Sequence, residues 1–162
     1  MNIALLIIDM QKEFYENNNL KPMLDNALEY INETSQIFRR ANKPVIIIQD
    51  KEAGQGPSSH GFENIESLLI EDSDKSIYKF HSNSFWETDL EALLTALKVD
   101  YLIISGFAAE HCVLFTYNGA LERGYGASLL QHGIAGLEKE NVDSIQQIRS
   151  VISIEALGYF IK

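Results

Sequence analysis

Short apolar runs alternate along this chain with stretches whose apolar residues fall at helical spacing. Ile3 to Ile8 is unbroken apolar sequence ending at Asp9, the pattern of a strand buried on both faces of a parallel sheet. From Pro22 to Arg40, Leu24, Leu28, Ile31, Ile37 and Phe38 recur mostly one helical turn apart, and Pro22 suits a first turn. Pro44 to Ile48 predicts a second strand, running out into Gln49 and Asp50. The segment KEAGQGPSSHG, where Pro, Gly and Ser gather, is a loop, and Ile65 to Ile70 reads as a short helical piece beside it. Asp74 to Lys79 predicts a short third strand. Thr88 with Glu91 forms a capping box that opens a helix through Leu97. Tyr101 to Ser105 is a fourth, strongly apolar strand that Gly106 ends, and a helix carrying Cys112 follows to about Arg123. Ala127 to Leu130 predicts strand five, Asn141 to Gln147 a helix, Arg149 to Ile152 strand six, and Ser153 the cap of a terminal helix.

Strand and helix alternating in this way make a parallel sheet covered by helices on both faces and joined by right-handed crossovers. In open sheets of this kind ligands bind beyond the carboxyl ends of the strands, where strand order reverses. Asp9 ends strand one, Lys79 ends strand three and Cys112 follows strand four, so all three belong to the same rim. Alone, each has an ordinary role: a helix cap, a solvated cation, a small buried hydrophobe. Together they are a base, a cation and a nucleophile. A cysteine at a strand-to-helix turn also faces unpaired N–H groups and the positive end of a helix dipole, which is expected to bias it toward thiolate.

Composition narrows the setting. A chain of 162 residues is expected to form one domain that buries roughly two thirds of its unfolded surface. A single cysteine allows no internal disulfide and suits a reducing compartment. The opening MNIALLIIDMQ lacks a basic leader, and its apolar run is far too short to span a bilayer, so a cytoplasmic protein is expected. The net charge of −10, from 23 acidic and 13 basic residues, is scattered and argues against nucleic acid or anionic membrane as a partner.

The residues that carry chemistry resemble a known family. IALLIIDMQKEF is similar to the opening of the isochorismatase-like cysteine hydrolases, KFHSNSFWETDL resembles their lysine segment, and SGFAAEHCV resembles their nucleophile turn. Order and spacing agree from about Ile3 to Ser153. The resemblance implies a three-layer α/β/α sandwich with a six-stranded parallel sheet, in which strands one and four are neighbours and Asp9 lies beside Cys112. It also implies a cis peptide between Phe107 and Ala108 and a homodimer or larger homo-oligomer.

The same resemblance implies hydrolysis of a C–N bond in a small amide or ureido compound. Asp9 would take the Cys112 proton, Lys79 would balance the charge, and the backbone N–H groups of Ala108 and Cys112 would hold the oxyanion. Gln11, Phe14, His60, Phe85, Trp86 and Phe107 occupy positions on or near the family pocket, and Glu110 and His111 are expected to point away from it. No cofactor is required by this chemistry. Metal-dependent nicotinamidases carry an Asp and histidines after strand two; here only Asp50, Glu52 and His60 stand there, a poor zinc set, so no metal is expected. Other readings stand beside this one: an idle binding or assembly module on the same fold, a metal-assisted nicotinamidase, or a thiol redox protein, which would want a second cysteine.

Overall fold

The computed structural model describes residues 1–161. Its strands are β1 (Ile3–Ile8), β2 (Val45–Asp50), β3 (Lys75–Lys79), β4 (Tyr101–Gly106), β5 (Gly126–Ile134) and β6 (Val151–Ile152). All pair in parallel, in the order β3-β2-β1-β4-β5-β6. The helices are α1 (Lys12–Tyr15), α2 (Lys21–Arg40), α3 (Leu90–Ala96), α4 (Leu114–Glu122), α5 (Lys139–Ile148) and α6 (Ile154–Phe160).

Alternation of side chains along β1 divides the interior in two. Ile3, Leu5 and Ile7 pack with Leu24, Leu28, Ile31 and Phe38 of α2 and Leu157 of α6, whereas Ala4, Leu6 and Ile8 pack with Leu90 and Leu94 of α3, Tyr117 and Ala120 of α4 and Val142 of α5. The sheet is therefore covered on both faces, which is why β1 is apolar at every position. Strand order reverses at β1, which is paired with β2 on one side and β4 on the other, so the crevice beyond Ile8 and Gly106 is the place the topology leaves for a ligand.

Most of the expected elements form, with instructive differences. Ile65 to Ile70 is turn rather than helix. Ile65 and Leu68 are buried in the α2-side core, and Asn32 of α2 accepts from Leu69 N and donates to Ser67 O, so a side chain supplies the pairing that a helix would have made. The capping box is incomplete, since Thr88 Oγ1 accepts from Leu90 N at 3.3 Å while Glu91 turns to Arg123. β5 runs on to Ile134 through a register shift against β4, past the polar Gln131 and the exposed His132 that interrupt its apolar pattern. Ser153 caps α6 as expected, accepting from Ala156 N.

Candidate functional site

Three chain segments converge at the crevice. After β1 the chain turns at Asp9, which takes a left-handed φ of 50° and donates its N–H to Ile48 O, so its side chain turns in at the sheet rim. β3 ends at Lys79, in register with Asp50 at the end of β2. β4 ends at Gly106, with φ of 111°; a Cβ there would lie 2.0 Å from Ile8 O, so only glycine lets the two strand ends press together. The cis peptide Phe107–Ala108 follows, then a π-helical turn from Ala109 to Val113 that holds Cys112 and leads into α4.

Lys79 joins the segments. Its fully buried ammonium lies 2.8 Å from Asp9 Oδ2 and 3.5 Å from Asp50 Oδ2, and donates to Cys112 Sγ at 3.3 Å. Asp9 is itself only 1% exposed, and its second oxygen, Oδ1, meets no hydrogen-bond donor among the described residues. Carboxylate oxygens of Asp9 and Asp50 and the Cys112 sulfur all lie within 4.8 Å of one another.

Burial pushes the Asp9 carboxyl up to about 6, although the Lys79 ammonium pulls the other way. Burial also pushes the Cys112 thiol up to about 12, helped by the Asp9 charge and opposed by Lys79. Burial works against the Lys79 ammonium, but Asp9, Cys112 and Asp50 together hold it above the ordinary lysine range. The thiol is thus raised rather than biased toward thiolate: burial and a neighbouring carboxylate push it up, and Cys112 sits inside the π turn rather than at the open first turn of a helix. At neutral pH the site holds an ionised carboxylate beside a neutral thiol.

Cys112 and Asp9 open onto a cavity of about 420 Å³ whose wall includes Glu13, Phe14, Asn17, Leu20, Asp50, Phe107, Ala108, His111 and Leu137. The Phe14 and Phe107 rings lie 4.9 Å apart and make its flat face. A larger groove of about 500 Å³ flanks the other side of α1, but Lys12 and His60 there face carboxylates, Lys21 lies over the Tyr15 ring, and the groove touches none of the three side chains of the crevice.

Of the pocket residues expected from sequence, Phe14, Phe107 and Ala108 line the cavity and four others do not. Gln11 is fully buried and spends its amide on backbone, accepting from Asp50 N and donating to Asp50 O and Phe62 O; it fixes the end of β2 instead. His60 lies on the neighbouring groove, 2.6 Å from Glu16. Phe85 is buried against Tyr125 and Arg123, and Trp86 stacks on His81 at the surface. Conversely, His111, Glu13, Asn17, Leu20 and Leu137 were not legible as pocket wall. The wider π turn, closed by Val113 N to Ala108 O, brings His111 to the cavity, while Glu110 turns away to hold Leu137 N and Asn141.

Asp50, Glu52 and His60 do not converge. The triad that does, Asp9, Asp50 and Cys112, has the Lys79 ammonium 2.8 Å from Asp9, 3.5 Å from Asp50 and 3.3 Å from Cys112, so one positive charge already stands among its ligand atoms.

Residues 3–154 match the isochorismatase domain model. The chain belongs to the isochorismatase domain family. Among curated relatives of this isochorismatase-family chain, the uncharacterized family protein YaaI of Bacillus subtilis is 29% identical over 165 residues, covering 94% of this chain and 91% of the relative. Streptothricin hydrolase of Streptomyces noursei is 30% identical over 125 residues, 75% of this chain and 50% of the relative. A solved N-carbamoylsarcosine amidase from Thermoplasma acidophilum superposes with a TM-score of 0.82 at 22% identity, over 94% of this chain and 95% of that one, a likeness of fold. Of these, streptothricin hydrolase and the amidase are named for hydrolytic activities.

Proposed function

We propose that this isochorismatase-family chain is a cysteine hydrolase that cleaves a C–N bond in a small amide or ureido compound. The observation that supports it is a buried Asp9 that has a carboxylate oxygen within 4.8 Å of the Cys112 sulfur and one oxygen, Oδ1, without a donor among the described residues, with Lys79 beside both groups. Asp9, ionised at neutral pH, takes the thiol proton as Sγ attacks the substrate carbonyl, so the thiolate exists only as it reacts. Lys79 holds the net charge nearly constant while the proton moves. Ala108 N–H, which donates to no group among the described residues, and Cys112 N–H receive the oxyanion. The C–N bond then breaks as Asp9 returns the proton to the leaving amine, giving a thioester. Asp9 next takes a proton from water as its hydroxide adds to the thioester carbonyl, then returns that proton to the Cys112 sulfur as the C–S bond breaks and an acid is released.

The wall of Phe14, Phe107, Leu20 and Leu137 suits a small acyl group with one flat face. No helix among the described residues is long and apolar enough to cross a membrane; a cytoplasmic homo-oligomer acting on a small molecule is the setting we propose. Ammonia release from a panel of primary amides and ureas, with intact-mass trapping of an acyl adduct, tests the reading. Turnover by the wild type and none by Cys112→Ala is the expected outcome. No release from any compound, together with a Cys112 that iodoacetamide fails to alkylate, would favour the idle binding module.

A further inference from the structure

The cavity wall is unevenly charged. Asp9, Glu13 and Asp50 all border it, and among the described residues no lysine or arginine does; His111 is its single basic side chain. Lys79 lies behind this wall, fully buried, with its ammonium already 2.8 Å from Asp9, 3.5 Å from Asp50 and 3.3 Å from Cys112. Asp50 is also spent, accepting from Glu52 N through Oδ1 and facing Lys79 through Oδ2. Asp9 keeps one buried oxygen without a donor, and on the proposed function this carboxylate is taken up with the Cys112 proton.

Glu13 is different. It stands at the exposed rim, takes no ion pair or side-chain hydrogen bond among the described residues, and lies close over Gly61, where a Cβ would come within 2.8 Å of its Oε2. A carboxylate thus stands at the mouth with no cation paired to it among the described residues. Beside it the Phe14 and Phe107 rings offer π faces that attract cations.

We propose that this cavity selects amides bearing a positive charge, an ammonium on the acyl part being the simplest, and that Glu13 is the specificity-determining carboxylate that receives it. The inference rests on reading the Cys112 cavity as the substrate site. A substrate carboxylate would meet three acids and neither lysine nor arginine, whereas an ammonium meets Glu13 and an aromatic face. A cleft lined by one sign of charge also concentrates ligands of the opposite sign.

Thiol-directed probes test the selectivity without requiring turnover. Methanethiosulfonates form a mixed disulfide with Cys112 and release methanesulfinate; the trimethylammonioethyl, methyl and sulfonatoethyl reagents differ in charge. Rates are taken at low salt and about pH 8, where histidines are ordinarily uncharged, and each is divided by the reagent's rate with free cysteine. The expected cation-to-anion ratio is about tenfold or more in the wild type. It should drop at least about threefold in Glu13→Gln and with added salt, and hold in Glu122→Gln, which removes the same charge from the far surface of α4. A ratio at or below one, or one that Glu13→Gln leaves unchanged, overturns the proposal.

Hydrolysis of glycinamide, acetamide and oxamate separates the two readings. Charge-selective modification with no amide turned over would keep the selectivity and sink the hydrolase reading. Turnover fastest on oxamate would do the reverse.

Discussion

At the scale of single residues, the reactive trio is ordered by proton affinity. Asp9, pushed up to about 6 by burial, is ionised at pH 7, and the Cys112 thiol, pushed up to about 12, is not. Because the base must be ionised to accept the thiol proton, activity should be lost as pH falls through about 6, not through the ordinary carboxylate range near 4. The expected kcat/KM profile rises with unit slope through that region in the wild type. Asp9→Asn should flatten the rise and lower kcat by roughly a hundredfold or more; a profile with the same limb in Asp9→Asn would remove Asp9 from the base role. The ammonium of Lys79 stands where a metal would otherwise neutralise Asp9 and Asp50, so activity should survive exhaustive chelation. Loss on chelation, restored by zinc or manganese, would bring back the metal-assisted nicotinamidase.

At the scale of elements, two strand ends decide the geometry. β1 and β4 pair from Ile3 with Tyr101 to Ile8 with Gly106, so Asp9 and the turn bearing Cys112 leave the sheet side by side. Gly106→Ala would put a Cβ within 2.0 Å of Ile8 O at a φ that side chains rarely adopt. A loss of roughly 3 kcal/mol or more is expected, read as a lower midpoint in denaturant unfolding. An unchanged midpoint would mean that the two strand ends can part. Gln11 supports the same rim from the other side by tying Asp50 to Phe62, which keeps the β2 carboxylate within reach of Lys79.

At the scale of the whole molecule, several large side chains remain outside both cores. Trp86 is 58% exposed, Tyr159 79% and Phe160 57%, more aromatic surface than the fold needs for itself. A homodimer or larger assembly is expected at micromolar concentration, and sedimentation as a monomer would count against it. The net charge of −10 is spread over the chain, and three of its acids, Asp9, Glu13 and Asp50, stand together in the cavity wall.

The sequence by itself determined the layers of this protein and the rim at which its chemistry sits. Unbroken apolar runs such as Ile3–Ile8 have one stable use, burial between two helical layers, and a polar residue at the end of such a run must emerge at the sheet edge; Asp9, Lys79 and Cys112 were legible for that reason. Periodicity carries no information about which loop side chains face inward. The tertiary structure alone decided that Gln11 is spent on backbone, that Phe85 and Trp86 pack elsewhere, and that a π turn brings His111 to the cavity. It also decided the protonation order of the site: the helix dipole at Cys112 is a local effect that sequence position suggests, whereas the burial and the Asp9 charge that push the thiol up come from chain segments about a hundred residues apart brought into contact.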